Sequence, residues 1–284
     1  MGGKPEPIDV VMDSLVEKLD QLCEHGIIID GKTFEIQIKC IICDRPARAA
    51  FKCIINQGAY YACERCLVPG FDYMSRIVYP FRNDPERIDE SFKELENPLH
   101  HAGVCPLVKL KKSVDLIILF ILDIMHLNYQ GEMKKLLKTW FSSDSKICKE
   151  KLLRVSMRLV NLKNQIPSEF QRSTRTVEDV SKYPANEFRE ILLYTDSFVI
   201  EGILDEDEYN NFLLFHIGSR ILCSSELYKQ YTPCAKKYLR RFAMLSGEVY
   251  GLQSASLANH SLAPVADDVL KYGLPGKFLH SIPI

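Results

Sequence analysis

The chain has 284 residues, enough for one large domain or two modest ones with a buried core. Charged residues make up 26% and apolar residues 46%, an ordinary globular balance, and the net charge of −1 excludes bulk basicity as a drive toward nucleic acid. Ten cysteines at irregular spacing, with no signal peptide read at the N-terminus, point to a reducing compartment.

In chain order, residues 7–25 place Ile8, Met12, Leu15, Leu19 and Leu22 at helical spacing, with Gly26 as the stop. Asp30-Gly31 after a short aliphatic run predicts a hairpin turn. Phe34, Ile36 and Ile38 then alternate with Glu35, Gln37 and Lys39, which predicts a strand. The unbroken apolar run Cys40 to Cys43 predicts that this strand is covered on both faces. Asp44 stands at its end, followed by Pro46, which cannot donate to a ladder. Cys63-Glu64-Arg65-Cys66 carries the two-residue gap that lets both thiolates reach one zinc ion. Cys40-x2-Cys43 with Cys63-x2-Cys66 has a formal zinc-finger spacing, which the predicted strand geometry of the first pair opposes.

Residues 67–113 read as a long irregular connection with two clusters, Tyr79-Pro80-Phe81-Arg82 and His100-His101. Val114 to Met125 is the most apolar run; it carries Asp115 and Asp123, is too short to span a bilayer, and reads as a buried segment. From Leu116 onward the pattern is helical, with Asp179, Asp205 and Ser225 as helix starts. Residues 134–163 gather Lys134, Lys135, Lys138, Lys146, Lys149, Lys151, Arg154, Arg158 and Lys163, either a solvated helical face or a local DNA patch. Asp123 and His126 share a face if their segment is helical. Trp140 reads as helix packing, His216 as a core or half-buried helix residue, and Cys105, Cys148, Cys223 and Cys234 as ordinary thiols.

A series of words recurs in order along the chain: Cys43-Asp44-Arg45-Pro46-Ala47-Arg48-Ala49, Gly58 to Cys66, Arg87-Ile88-Asp89-Glu90-Ser91-Phe92 with His100-His101, and Leu122-Asp123-Ile124-Met125-His126-Leu127. They continue with Ile166-Pro167-Ser168-Glu169-Phe170, Asn186-Glu187-Phe188-Arg189, Leu192-Leu193-Tyr194-Thr195 and Asn259-His260-Ser261-Leu262. With these words the chain resembles the DDE cut-and-paste transposases of the CACTA-like and Chapaev-like group.

The resemblance implies an α/β remnant of an RNase H-like core plus a large, mostly α-helical insertion, helix-dominated overall. Its segments are 1–56, a partial core with Asp44 at a strand end; 57–113, the cysteine knuckle and linker; 114–255, the helical insertion; and 256–284, a return segment. In that family three carboxylates hold two Mg²⁺ ions for DNA strand cleavage and transfer, and Asp44 matches the second of them. Cys63 and Cys66 match a zinc-binding pair completed by two histidines, as in the related V(D)J recombinase core. His260 matches the first of those, and Pro264 stands in place of the second. Met1 comes after the position of the first acid, and Ile282-Pro283-Ile284 matches the words just before the catalytic Glu. The expectation is a transposase truncated at both ends and catalytically inactive, with zinc as its metal and weak or nonspecific DNA contact. It would be nuclear by resemblance, with no membrane or small-molecule partner. Two alternatives are a zinc-containing nuclear DNA- or protein-binding module, and a fragment of an active enzyme.

Overall fold

The computed structural model describes residues 8–56, 58–141, 149–162 and 177–274. Helix dominates, and the strands among the described residues are short and paired two by two. Contacts divide the chain into two compact units, Met1–Phe71 with Arg82–Asp123, and Asp72–Phe81 with Ile124–Ile284.

The first unit opens on α1 (Ile8–His25), which buries Met12 and Val16 and packs Leu15 and Leu19 beside them, while Leu22 stays exposed. Gly26 ends α1 at φ +68°, and a Cβ there would lie 2.3 Å from Phe34 O, so only glycine fits. Strands β1 (Ile27–Ile29) and β2 (Lys32–Phe34) pair antiparallel across Asp30 and Gly31, with φ of 49° and 76°, the left-handed pair that a tight hairpin needs. Then follow β3 (Ile41–Ile42) and α2 (Arg45–Lys52); the hairpin of β4 (Phe71–Tyr73) and β5 (Arg76–Val78) falls, but for Phe71, in the second unit, and α3 (Asp89–Lys93) and β6 (Phe120–Ile121) complete the first.

The continuous strand expected from Phe34 to Cys43 does not form, because β2 stops at Phe34 and β3 covers only Ile41–Ile42. The alternation itself is genuine: Ile36, Ile38 and Cys40 are half-buried and Glu35, Gln37 and Lys39 exposed. Among the described residues no strand pairs with 35–40, and without ladder bonds alternation does not make a strand. Nor is β3 covered on both faces, since Ile42 is exposed. β3 pairs parallel with β6, Ile41 opposite Phe120 and Ile42 opposite Ile121. The segment expected to be buried is so: Leu116, Leu119, Phe120 and Leu122 join Phe92 and Leu107 in the core.

Apart from that hairpin the second unit is helical. A π-helical stretch, Met125–Met133, runs into α4 (Lys134–Phe141), then α5 (Lys149–Leu162) and a 3₁₀ turn at Val177–Lys182. Gly131 lies over His126 O, where a Cβ would come within 2.8 Å, so the wide π-turn closes on the smallest residue. Next come α6 (Ala185–Glu190), a second π-helical stretch at Ile191–Thr195, α7 (Asp196–Val199), α8 (Glu206–Cys223), α9 (Tyr228–Val249), α10 (Leu257–His260) and α11 (Val265–Tyr272). The α8–α9 pair forms the centre: Phe215 and Phe242 stack with centroids 4.9 Å apart, and Gly218 makes room for Leu239. Trp140 packs edge-on against Phe212 at 5.4 Å, as core. Asp205 starts α8 with a capping box. Ser224, rather than Ser225, accepts from Leu227 N at 3.3 Å before α9, and Asp179 lies inside the 3₁₀ turn and not ahead of it.

Candidate metal centre

The cysteine knuckle belongs to the first unit. Its two Sγ atoms lie 3.5 Å apart, Cys63 buried and Cys66 half-buried. Two thiolates on one tetrahedral zinc, each about 2.3 Å from the metal, stand about 3.8 Å apart, whereas a disulfide requires about 2.05 Å. The pair is therefore set near the zinc separation. Arg65 N donates to Cys63 Sγ at 3.4 Å, and a bridge from Cys66 to Glu86, with Arg87 N donating to Arg65 O at 2.9 Å, clamps the turn. The buried Arg87 guanidinium donates to Cys63 O at 2.8 Å and to Tyr61 O at 3.3 Å. Tyr61 O also accepts from His100 Nδ1 at 2.7 Å. Burial, with Arg87 nearby, pulls the His100 imidazole down to about 3, so it is neutral. The hydrogen bond with Cys63, together with burial, pushes the Cys66 thiol up. A metal bound there displaces protons, so its affinity falls as pH drops.

Glu64, between the two cysteines, ties the knuckle to α2. It is buried and receives Arg45 Nη1 at 2.7 Å, Arg48 Nε at 3.2 Å and the ammonium of Lys52 at 3.6 Å. Burial raises the Glu64 carboxyl, but Lys52, Arg48 and Arg45 outweigh that and hold it at about 2. Lys52 is fully enclosed, over the rings of Phe92 and Phe120, and burial pulls it down to about 8. Reading the sequence for metal ligands passed over Glu64. Its signal was present in Arg45, Arg48 and Lys52, which recur along one face of a short helix.

Asp44 follows β3 and caps α2, its Oδ1 accepting from Ala47 N at 2.9 Å. Asp44 and Asp123 each stand two residues beyond the paired ends of these strands, Ile42 and Ile121. The two segments share one grammar, Ile41-Ile42-Cys43-Asp44 and Phe120-Ile121-Leu122-Asp123, each a strand closed by an acid two residues on. Asp123 immediately precedes the helical turn that contains His126. The thiol of Cys43, in the first cysteine pair, is pushed up to about 11 by burial, with Glu64, Asp44 and Asp123 adding to it and Arg48 opposing.

His260 belongs to the second unit, buried at the end of α10 and tilted against Phe81 at 5.0 Å. Ser256 caps that helix by accepting from Asn259 N at 3.3 Å. Asn259 Nδ2 donates to Glu132 Oε1 at 3.1 Å and to Ser246 Oγ at 3.0 Å, while Lys135 Nζ bonds Glu132 Oε2 at 2.7 Å. Neighbours on three other segments thus set the backbone that carries the imidazole. Pro264 is the residue before α11. His216 is buried, its Nδ1 donating to Leu192 O at 2.6 Å.

Of the basic run at 134–163, Lys146 and Lys163 lie outside the described residues, as do Cys148, the 166–170 word and Ile282-Pro283-Ile284. Lys134 sits over Phe188, Lys135 bonds Glu132, Ser254 O and Ser256, and Arg158 donates to Val199 O and Glu201 O. These three cations are engaged within the fold. No described helix is long and apolar enough to cross a membrane.

The first unit therefore holds two thiols on a tight turn at a separation compatible with binding one zinc ion. No protein-family model, curated protein or solved structure matches this chain.

Proposed function

We propose that this is a transposase-derived protein in which Cys63 and Cys66 hold a structural zinc ion, and which carries out no phosphoryl transfer of its own. The observation that carries the metal reading is the 3.5 Å separation of two thiols on a clamped turn. The sequence resemblance makes His260 the third ligand, leaving the fourth position to water or another side chain. It also makes the β3–α2–β6 arrangement the remnant of an RNase H-like core, with nuclear DNA as the ancestral partner. A zinc ion held by Cys and His closes a loop and adds its binding free energy to folding. A two-metal phosphoryl-transfer site needs several oxygen ligands in fixed geometry around each Mg²⁺. Asp44, which the resemblance places in that carboxylate set, serves here as a helix cap, its Oδ1 accepting from Ala47 N.

Metal content of the purified chain, measured by mass spectrometry, tests the first half. One zinc per chain, lost in both Cys63→Ser and Cys66→Ser, is the expected result; one zinc retained in Cys63→Ser would overturn the ligand assignment. The second half is tested by incubating the chain with supercoiled DNA and Mg²⁺ or Mn²⁺. Intact DNA is expected, and nicking that Asp44→Asn abolishes would overturn it.

A further inference from the structure

In the first unit, every residue of the β1–β2 hairpin is exposed. Ile28 is 74% exposed, Ile29 50%, Phe34 47% and Ile27 36%. Successive side chains of a strand point to opposite faces, so Ile27, Ile29 and Phe34 share one face and Ile28 and Thr33 the other. Both faces of a three-isoleucine strand therefore meet water. The four apolar residues together expose roughly 400 Å², within the size range of the largest patch on a typical monomer. A two-stranded hairpin is marginal by itself and is stabilised by further strands.

Ladder geometry says which backbone groups face outward. Across a two-residue turn, Ile29 and Lys32 exchange the first pair of hydrogen bonds, and Ile27 and Phe34 the next. Ile28 and Thr33, between them, turn N–H and C=O away from the hairpin, and no other backbone bond to either residue occurs among the described residues. The two edges differ in chemistry. The β2 edge carries Lys32, a charge of the kind that blunts an edge, and pairing β2 with itself about Thr33 would set Lys32 opposite Phe34. The β1 edge has no charge and no proline. Its three isoleucines read the same in both directions, so an antiparallel copy meets it residue for residue.

We propose that β1 pairs antiparallel with β1 of a second copy of this chain, about a two-fold axis at Ile28, giving a four-stranded sheet in the order β2-β1-β1-β2. Ile28 exchanges both backbone bonds with the partner's Ile28, and Ile27 lies opposite the partner's Ile29. One face then carries Phe34 and Ile27 in a row with the partner's Ile29, and symmetry repeats the row; the other sets the two Ile28 side chains against each other. The patches of both copies come to about 800 Å², at the small end of specific interfaces, so the dimer is weak and depends on concentration. None of these residues takes part in the zinc reading, and the surface does not depend on it.

The test is sedimentation velocity on the full chain over about 1 to 200 µM, the range in which so small an interface assembles. Twice the monomer mass is expected at the top of the range, with the Ile28 amide gaining protection from hydrogen exchange over the same concentrations. Ile28→Lys sets like charges directly opposite each other across the axis, and Ile28→Pro removes the outward N–H while sparing the hairpin's own ladder. Both variants should stay monomeric. Thr33→Pro, the same change on the β2 edge, should dimerise as the parent does. Both positions are exposed, so circular dichroism and urea midpoints of the three variants should match those of the parent. A parent that is still monomeric at about 200 µM would overturn the proposal. So would a dimer that Ile28→Lys leaves intact, or one that Thr33→Pro abolishes and Ile28→Pro spares. Growth past the dimer into open-ended polymers would also overturn it, since a two-fold pairing closes on itself.

Discussion

The two units reach stability by different means. The second is organised by helix packing, with Phe215, Phe242, Phe212 and Leu239 fully buried between long helices. The first has short strands and much irregular chain, and a buried carboxylate with three cations stands near its centre. Irregular backbone cannot satisfy its own polar groups as a helix does, so side chains take over. Arg65 reaches Ile117 O at 2.7 Å and Phe120 O at 2.8 Å, and Arg87 reaches Cys63 O and Tyr61 O. A unit built this way depends on a few polar groups, whereas a helical unit depends on volume.

The largest effects should separate these two modes. Glu64→Ala strands the buried Lys52 and Arg48 without their counter-ion and is expected to cost about 3–5 kcal/mol. Phe242→Ala opens a cavity in the α8–α9 core at a similar cost of about 3–5 kcal/mol. Urea unfolding followed by amide hydrogen exchange should show protection failing first around residues 45–66 in one variant and around 206–246 in the other. The same region failing first in both would erase the distinction.

Acidity should divide them with opposite sign. The Glu64 carboxyl, raised by burial but held down to about 2 by Lys52, Arg48 and Arg45, lies below its ordinary 4.5. Its contribution is present above pH 4.5 and is lost as pH falls through 2. The Glu190 carboxyl in the second unit is raised by burial and by Glu187 to about 7. The folded state then binds a proton that the unfolded chain has released, so its contribution is present below pH 4.5 and is lost as pH rises through 7. Urea midpoints measured between pH 3 and 8 for each unit, with Glu64→Gln and Glu190→Gln as controls, should show the two slopes disappear separately.

A smaller effect bears on Asp44. Loss of the cap in Asp44→Ala is expected to cost about 1 kcal/mol, and Asp44→Asn, an equally good cap, should be nearly neutral. Thermal unfolding of both variants checks this. An Asn variant as damaged as the Ala variant would show that the charge, and not the cap, is what Asp44 supplies.

Elements governed by neighbours in the chain were legible from residue order alone. The stripe of α1, its stop at Gly26, the Asp30-Gly31 turn, the knuckle spacing and the capping box at Asp205 all follow from local periodicity or from one residue's backbone freedom. Tertiary structure decided what depends on distant partners. Alternation at 35–40 stayed without a ladder because no strand among the described residues pairs with it, while Ile41–Ile42 found β6 far along the chain. Glu64 became the counter-ion of α2, and Lys134, Lys135 and Arg158 were drawn inward from what reads as a basic surface. The physical reason is range: a turn or helix forms from groups a few residues apart, but ladder bonds and buried ion pairs exist only once folding has chosen which distant groups meet.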